Sequence, residues 1–414
     1  MRWTLGLLLA LLAGGGGGCS VSDPVASLHE PEVNASDADA GTPDGGTPAD
    51  ERSAYCARPG PPWLVVDGAT GQESCSGHLA ARTFPHALCS CEGLEASAPF
   101  GTDAFRSSQG SWSPGAPGAS IATNGGLSVN SPMEVGGSLW VASTGIQLTS
   151  TLSIAESLRN GGPLMGRASV SVRGNAQVSG DISLDALTVG GILSLPAERD
   201  LTVSGSLQVS ELRREPVEPP VPPCPCAATE RVDIGAYVAN HVTANHDASI
   251  GLEPTALDGF SGDRTLELPC GRFYLSRISG PGSVRLVVSG RAALFVGGDV
   301  AVGQRFDVEL LEGAELDLFI AGKLSAVERL SLGSVRYPAR LRVYVGGTDP
   351  IEVPTASTLA GNFYAPLAYM ALSERVELYG SLFIQRLAAS GGLSVHYDMD
   401  VLGTEAACSD VSSR

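Results

Sequence analysis

Four acidic residues that alternate with apolar ones are the strongest candidates for chemistry in this sequence: Asp307, Glu309, Glu315 and Asp317. Because successive side chains of a strand point to opposite sides, this alternation predicts four carboxylates on the outer side of a sheet. Glycoside hydrolysis needs two carboxyl groups about 5–9 Å apart, one of them with a raised pKa. The four residues are therefore weak candidates for a glycan site, and a solvated acidic surface that prevents aggregation is the simpler interpretation.

Histidines occur beside acidic residues at two places. His241 and His246 lie five positions apart with Asp247 adjoining, a spacing that brings them together on neither a helix nor a strand, so ordinary surface residues are expected. His396 and Asp398 share one side of a strand, which is half of a catalytic arrangement, but no nucleophile can be assigned. Hydrogen bonding that caps a stack of strands is the simpler role for this pair. We expect no catalytic residue, metal or cofactor.

Charge and composition narrow the class of protein. A formal net charge of −18 over 414 residues argues against nucleic acid as a partner, since nucleic acid binds basic surfaces. Only 17% of the residues are charged and 52 are glycine, which excludes a helical bundle and a charged disordered chain. The sequence also lacks segments of the G-x-S-x-G, H-E-x-x-H and G-x-x-x-x-G-K types. These observations favour a structural or binding protein over an enzyme.

The N-terminus has the composition of an export signal. A positive start precedes a short apolar run (5–13) and a row of glycines that ends at Cys19. The run is too short to span a bilayer and has the length of a signal-peptide core. The segment resembles a bacterial lipoprotein signal, which implies that Cys19 is lipidated. Ser20, in place of aspartate, implies the outer membrane or cell surface; the alternative is a secreted protein.

Eight cysteines remain when Cys19 is set aside, an even number that agrees with disulfides in an oxidising compartment. They form two groups along the chain: Cys56, Cys75, Cys89 and Cys91, then Cys224, Cys226, Cys270 and Cys408. If each group pairs internally, each has three connectivities, and the sequence does not choose among them. The two cysteines within CSC, and within CPC, are too close to bond without strain, so each is expected to reach elsewhere. A zinc site is disfavoured because paired C-x-x-C knuckles are absent.

A short glycine-containing step recurs along the chain. VGGSLWV (135–141), VSGDISL (178–184) and VGGDVAV (296–302) each have apolar residues at alternate positions beyond a glycine. Alternation over roughly four to six residues predicts short half-buried strands, and glycine permits a tight corner between them. The sequence therefore predicts an all-β protein with two Gly-rich β-solenoid-like bodies joined by a Pro-rich linker. A β-sandwich is the alternative.

Shifts in composition set the predicted boundaries. The segment 20–53 is rich in Asp, Ala, Gly, Thr and Pro and lacks apolar periodicity, so a disordered tether is expected. The run EPVEPPVPPCPC favours a stiff extended spacer. The predicted segments are a lipoprotein signal (1–19), the tether (20–53), a small cysteine-containing segment (54–95), a first β-solenoid-like body (96–213), the Pro-rich linker (214–226), a second such body (227–400) and a tail (401–414).

The C-terminal body carries a family resemblance. The segment 361–398 resembles the closing part of a bacterial surface-protein domain family of uncharacterised function, through these residues: Gly361, Tyr364, Ala365, Pro366, Gly380, Gly391, Gly392, His396, Tyr397 and Asp398. The resemblance extends over about 280–400 and implies an exported protein associated with the envelope or with pili. More loosely, the stacked glycine steps are similar to those of the polymer-forming bactofilins.

Together these features predict a non-enzymatic lipoprotein of the cell envelope that acts as a surface scaffold or adhesin. Its expected partners are the outer membrane, through the lipid anchor, and an envelope polysaccharide or another surface protein. A polysaccharide-binding or polysaccharide-cleaving β-helix is the alternative function. Self-assembly through open solenoid ends is a third hypothesis, which a disulfide at Cys408 that closes an end would disfavour.

Overall fold

Short strands separated by glycine-rich corners stack into a parallel β-solenoid. The structure, a computed structural model, describes residues 48–67 and 69–411. Strands of neighbouring coils pair in parallel, whereas a hairpin near the N-terminus is antiparallel. This parallel pairing confirms the predicted β-solenoid and excludes the antiparallel β-sandwich.

Helices flank the strands near both termini and before the second half of the solenoid. The α-helices are α1 (Pro48–Ala57), α2 (Ser76–Thr83), α3 (Ile234–Asn240) and α4 (Asp400–Gly403). Short 3-10 helices span Ser107–Gln109, Asp247–Ser249, Pro338–Arg340 and Ala406–Val411. Within the described ranges, no helix is both long and apolar enough to cross a bilayer.

Most strands are three to six residues long, close to the length that the alternation predicted, whereas β31 and β32 run on through a corner and have 15 and 14 residues. In the first half they are β1 (Trp63–Asp67), β2 (Gln72–Cys75), β3 (Leu88–Ala96), β4 (Phe100–Phe105), β5 (Ile121–Thr123), β6 (Gly126–Val129), β7 (Met133–Val135), β8 (Leu139–Val141), β9 (Ile146–Leu148), β10 (Leu152–Ile154), β11 (Leu158–Asn160), β12 (Leu164–Gly166), β13 (Ser169–Val172), β14 (Ala176–Val178), β15 (Ile182–Leu184), β16 (Ala186–Leu195), β17 (Leu201–Val203) and β18 (Leu207–Arg214). In the second half they are β19 (Arg264–Leu268), β20 (Gly271–Leu275), β21 (Ile278–Gly280), β22 (Val284–Val288), β23 (Arg291–Val296), β24 (Val300–Val302), β25 (Arg305–Leu310), β26 (Glu315–Ile320), β27 (Leu324–Ala326), β28 (Arg329–Gly333), β29 (Leu341–Val345), β30 (Ile351–Glu352), β31 (Thr358–Leu372), β32 (Val376–Ala389) and β33 (Leu393–Asp398).

Each coil places one strand segment on each of three sides and turns a corner after each, so the solenoid has three faces. Face A consists of β19, β22, β25, β28, 358–360, 376–379, β33, β4, β7, β10, β13, 186–189 and 207–209. Face B consists of β20, β23, β26, β29, 362–364, 382–384, 88–90, β5, β8, β11, β14, 192–195 and 211–214. Face C consists of β21, β24, β27, β30, 370–371, 386–389, 93–96, β6, β9, β12, β15 and β17.

Alternate apolar residues fill the interior of every coil, as β8 illustrates. Leu139 and Val141 are fully buried, while Trp140 between them lies on the outside and is partly exposed. At the next corner Gly145 has a φ of +82°, and a Cβ there would lie 2.2 Å from the carbonyl oxygen of Pro163. The corner therefore needs glycine both for its left-handed backbone and for the close approach of the following coil.

The coils do not follow one another in chain order. β3 pairs on one side with β5 and β6 and on the other with β32, and β33 pairs with β4. The chain therefore begins its coils in the middle of the stack and builds outward to β18. It then crosses to the opposite end and builds back from β19 to the middle. The coil at the junction takes its face A from β33 and its faces B and C from β3.

This junction replaces the two separate bodies that the sequence predicted. One continuous ladder joins the two halves, and the described residues (48–67 and 69–411) form a single compact unit. The Pro-rich run is not a spacer between bodies but a strap that returns along face B. Glu215 accepts a hydrogen bond from Ser194, and Asn124 bonds the backbone of Cys224 at 2.7 and 3.0 Å.

Further segments cover the rest of face B. α1, the β1–β2 hairpin and α2 lie over the second half of the solenoid, together with residues 227–250 that include α3. The last six residues of the predicted tether (48–53) belong to α1 and are helical, contrary to that prediction. Cys19 and residues 20–47 lie outside the described residues. The described part of the predicted tail (401–411) is helical, and both α4 and the 3-10 helix Ala406–Val411 pack on α2.

Four disulfides fasten these covering segments: Cys56–Cys270, Cys75–Cys408, Cys89–Cys224 and Cys91–Cys226. Pairing within each cysteine group was the wrong premise, since every bond joins one group to the other. The physical reason is the chain path, which brings distant segments back to one face. The prediction that the cysteines of CSC and CPC reach elsewhere is confirmed, and the two triplets bond to each other.

Candidate functional site

A buried arginine joins two of the four carboxylates on face B. Arg342 in β29 lies in register with Asp317 in β26 and donates from Nε to Oδ1 at 2.6 Å and from Nη2 to Oδ2 at 2.9 Å. It also donates to Glu315 Oε2 at 3.2 and 3.3 Å. Ser76 of α2 donates to Asp317 at 2.7 Å. The helix therefore seals the ion pair from outside, and both Arg342 and Asp317 have zero exposure.

The electrostatics of this network keep Arg342 charged. Burial alone would lower the pKa of Arg342, but the charges of Asp317 and Glu315 raise it well above its ordinary value. Burial raises the pKa of Glu315, although Arg342 acts in the opposite direction. A bidentate arginine that already bonds Asp317 leaves this carboxylate without a free oxygen for a substrate.

The other two carboxylates lie on face A and not beside the first two. Asp307 and Glu309 are in β25, where Arg329 donates to Asp307 at 3.3 Å and Arg285 donates from Nε to Glu309 at 3.0 Å. The four residues thus form two pairs on different faces. The prediction that all four face solvent is wrong for Asp317, because α2 covers the strand from outside.

A cavity of about 470 Å³ opens beside the ion-pair network. It lies between the covering segments, and its polar side chains include Ser107, Ser108, Glu315, Tyr337, Arg340 and Asp400. Arg340 lies 4.3 Å from the centre of the Tyr337 ring. The cavity is the place where Glu315 reaches the surface, since its side chain retains 18% exposure.

The two carboxylates of the cavity differ in their electrostatics. Burial raises the pKa of Glu315. At Asp400 burial acts in the same direction, but hydrogen bonds from Ser108 and Arg106 outweigh it and lower the pKa. Two carboxyl groups with pKa values shifted in opposite directions are what a general acid and a general base require.

His396 has a different partner from the one predicted. Its Nδ1 lies 2.8 Å from Asp103 Oδ1, which also accepts the indole N–H of Trp112 at 2.8 Å. Asp398 instead accepts backbone N–H groups of Ser107 and Ala339 at 3.0 and 3.1 Å. Asp103 lies opposite His396 on the neighbouring strand, at the junction coil and not at a free end of the stack. Both carboxylates therefore join elements that are distant in sequence.

The histidines expected on the surface are buried. His241 stacks on Phe295 at a ring distance of 3.5 Å, donates from Nδ1 to the Tyr237 carbonyl and accepts the Val65 N–H through Nε2. His246 accepts the N–H of Arg272 at 2.9 Å. Burial lowers the pKa of each histidine to about 4. The surface prediction was wrong because the chain path places residues 241–247 over the end of face B.

Among the residues that the structure describes, no group of three His, Cys, Asp or Glu side chains is arranged to hold a metal ion. Sequence reasoning missed Arg342 and Ser76, which both donate to Asp317. One signal was available: an aromatic residue stands at the same outward position of successive strands, namely Tyr274, Phe295, Phe319, Tyr344, Tyr364 and Phe383. Outward aromatics on a row of strands indicate that the face is covered.

Comparison with known proteins finds one family. Residues 229–404, less than half of the chain, match a family described as a domain of unknown function (DUF7305). The match begins before α3 and ends after β33, so it includes the second half of the solenoid with part of its cover. No curated protein and no solved structure matches the chain. The β-solenoid and this match together fit an uncharacterised β domain family, in agreement with the resemblance at 361–398.

Proposed function

We propose that this protein is a rigid, non-enzymatic scaffold of the bacterial cell envelope. The observation that carries the proposal is the cover that lies along most of face B, from the second half of the solenoid to the strap beside Asn124 and Ser194. The strap, the segment from α1 to α2, and α3 occupy that face, and four disulfides hold this cover in place. A groove on this face is therefore closed to an extended ligand, and the covering stiffens the stack.

The envelope location rests on the cysteines and the N-terminus. Four disulfides require an oxidising compartment. The lipoprotein-like signal would attach the folded body to the outer membrane or cell surface through Cys19. The likeness to bactofilins would be limited to the stacked coils of the fold. Faces A and C then remain for contact with another surface protein or an envelope polysaccharide, which is the scaffold or adhesin role.

Polysaccharide binding or cleavage is the second candidate, and the cavity beside Glu315 favours it. Glu315 and Asp400 both line the cavity and have pKa values shifted in opposite directions. Hydrolysis would need Glu315 to release Arg342 and donate a proton to the glycosidic oxygen, while Asp400 takes a proton from the water that attacks the anomeric carbon as the glycosidic bond breaks. The bonds from Arg342 to Glu315 oppose that step, so the scaffold remains the preferred function.

The test incubates the purified protein with envelope polysaccharides of the host and measures co-sedimentation and reducing-end release together. Glu315→Gln is compared with Glu309→Gln, a matched control whose carboxylate pairs with Arg285 on face A. If the protein is a scaffold, neither the wild type nor either variant should release reducing ends. Release that Glu315→Gln abolishes and Glu309→Gln retains would overturn the scaffold in favour of an enzyme.

A further inference from the structure

The end of the solenoid at β17 and β18 is open. β18 pairs with β16 on one side, and no strand of the described chain pairs with its other edge. Leu207 and Leu212 continue the interior rows of Leu187 and Leu193, which are buried. At the open end, however, these two leucines are 44% and 40% exposed. An unpaired edge with an exposed interior is a surface for strand addition.

The opposite end is closed on two faces. On face B, the His246 N–H donates to the Arg272 carbonyl at 2.7 Å and its ring Nδ1 accepts the Arg272 N–H at 2.9 Å, while Asp247 accepts the N–H of Tyr274 at 3.0 Å. On face C the N–H of Ser279 bonds the Leu257 carbonyl. The backbone edges of β20 and β21 are therefore occupied within the chain. A filament, which needs both ends to be free, is disfavoured by this asymmetry.

The backbone groups of Leu212 are directed to the open edge. The N–H of Glu215 bonds the carbonyl of Leu195 in β16. Because alternate residues of a strand direct their N–H and C=O groups to opposite sides, Glu211 and Arg213 also face β16. Leu212, between them, presents its N–H and C=O to a further strand.

We propose that two copies of this chain join end to end through β18, about a two-fold axis at Leu212. In this antiparallel pairing Leu212 meets the partner's Leu212, and the interiors of the two solenoids become continuous. Glu211 faces the partner's Arg213, and Arg213 faces the partner's Glu211, so the strand is complementary in charge to itself. A parallel pairing in register would place like charges together.

The same axis matches the remaining faces. A two-fold rotation about the normal to face B exchanges faces A and C, so 207–209 of one copy meet β17 of the other. Both segments have the pattern apolar–polar–apolar, with Leu207 and Val209 in one and Leu201 and Val203 in the other. Exposed leucine and valine are thus buried on three faces at once, and the assembly closes as a dimer.

A cysteine trap tests the pairing in the full chain, exported to the oxidising compartment of its host. Leu212→Cys should give a disulfide-linked dimer at twice the chain mass on a non-reducing gel, because the axis brings residue 212 of both copies together. Val327→Cys is the matched control, since Val327 is an apolar residue with 74% exposure far from the open end. Absence of the linked dimer for Leu212→Cys, or equal linkage for the control, would overturn the proposal.

Charge exchange tests the register by sedimentation of the purified full chain. Arg213→Glu places two acidic pairs across the axis and should weaken the dimer about tenfold or more. The double variant Glu211→Arg with Arg213→Glu should restore it, because both cross-axis pairs reappear with reversed polarity. Circular dichroism checks that each variant is folded. A dimer insensitive to Arg213→Glu, an unmodified protein that stays monomeric, or chains longer than dimers would each contradict the closed pairing.

Discussion

Arg342 and Asp317 form a buried ion pair on face B in the second half of the solenoid. Arg342→Met would leave Asp317 charged, buried and without its counter-charge, so we expect the free energy of unfolding to fall by about 3–5 kcal/mol. Arg285→Met, which removes an exposed pair with Glu309, should change it by less than about 1 kcal/mol. Guanidinium unfolding of the two variants measures the difference. Adding Asp317→Asn to Arg342→Met should recover part of the loss, and equal effects of the two arginines would contradict this assignment.

The burial of His86 makes the stability of the protein depend on pH. Its side chain lies edge-on to Trp140, and burial lowers its pKa to about 4. In the unfolded chain the histidine binds a proton below pH about 6.5, whereas in the folded protein it stays neutral down to about 4. The unfolded state therefore binds more protons between these values, and stability falls as the pH falls from 6.5 to 4. His241 and His246 act in the same direction. Asp247, with a pKa raised to about 6 by burial, opposes them.

His86→Leu isolates the contribution of one histidine. Between pH 7.5 and 4.5 the wild type should lose more stability than the variant, by an amount on the order of 3 kcal/mol at most. Urea unfolding at the two pH values measures this difference, in which the other titrating groups cancel. An identical pH dependence of the two proteins would show that His86 titrates normally.

At the scale of elements, the strap is held to β3 by two neighbouring disulfides that close loops of the same length, with a sequence separation of 135 residues each. In the chain-entropy description either bond removes nearly the same freedom from the unfolded chain. Replacing Cys91 and Cys226 by serine should therefore cost little stability while Cys89–Cys224 remains. Replacing all four cysteines should cost roughly 5 kcal/mol.

Denaturant unfolding of the protein with both bonds, with one and with neither measures this non-additivity. Cys75→Ser with Cys408→Ser is the informative comparison, because no second bond closes that loop. If removing Cys91–Cys226 alone lowers the free energy of unfolding as much as removing both bonds, the bonds act through native contacts and not through loop closure.

At the scale of the whole molecule, the proposed envelope location gives a prediction for the N-terminus. If Cys19 carries the lipid, Cys19→Ser should move the protein from the membrane fraction to the soluble fraction, because the buried acyl chains supply the membrane affinity. Ser20→Asp should keep the protein in membranes but shift it from the outer to the inner one. Fractionation with immunoblotting measures both. Retention of Cys19→Ser in membranes would point to a different anchor.

Local patterns in the sequence were sufficient for some features and not for others. The segments FDVEL and ELDLFI predicted strands, because alternation is a property of neighbouring residues. The same segments did not reveal that Asp317 and Arg342 are buried partners, since their cover comes from Ser76, 241 positions from Asp317. His241, His246 and the partner of His396 were misplaced for the same reason.

The sequence by itself determined that the chain forms short strands with glycine corners, which favoured a solenoid over a sandwich, and that the cysteines form disulfides, because strand propensity, corner geometry and cysteine count are local or compositional. Only the tertiary structure decided the order of the coils, the cysteine pairing and which face is covered. These depend on a chain that starts in the middle of its own stack and returns to it from the far end. Contacts across such distances arise from how whole elements pack, and the neighbouring residues in the sequence do not predict them.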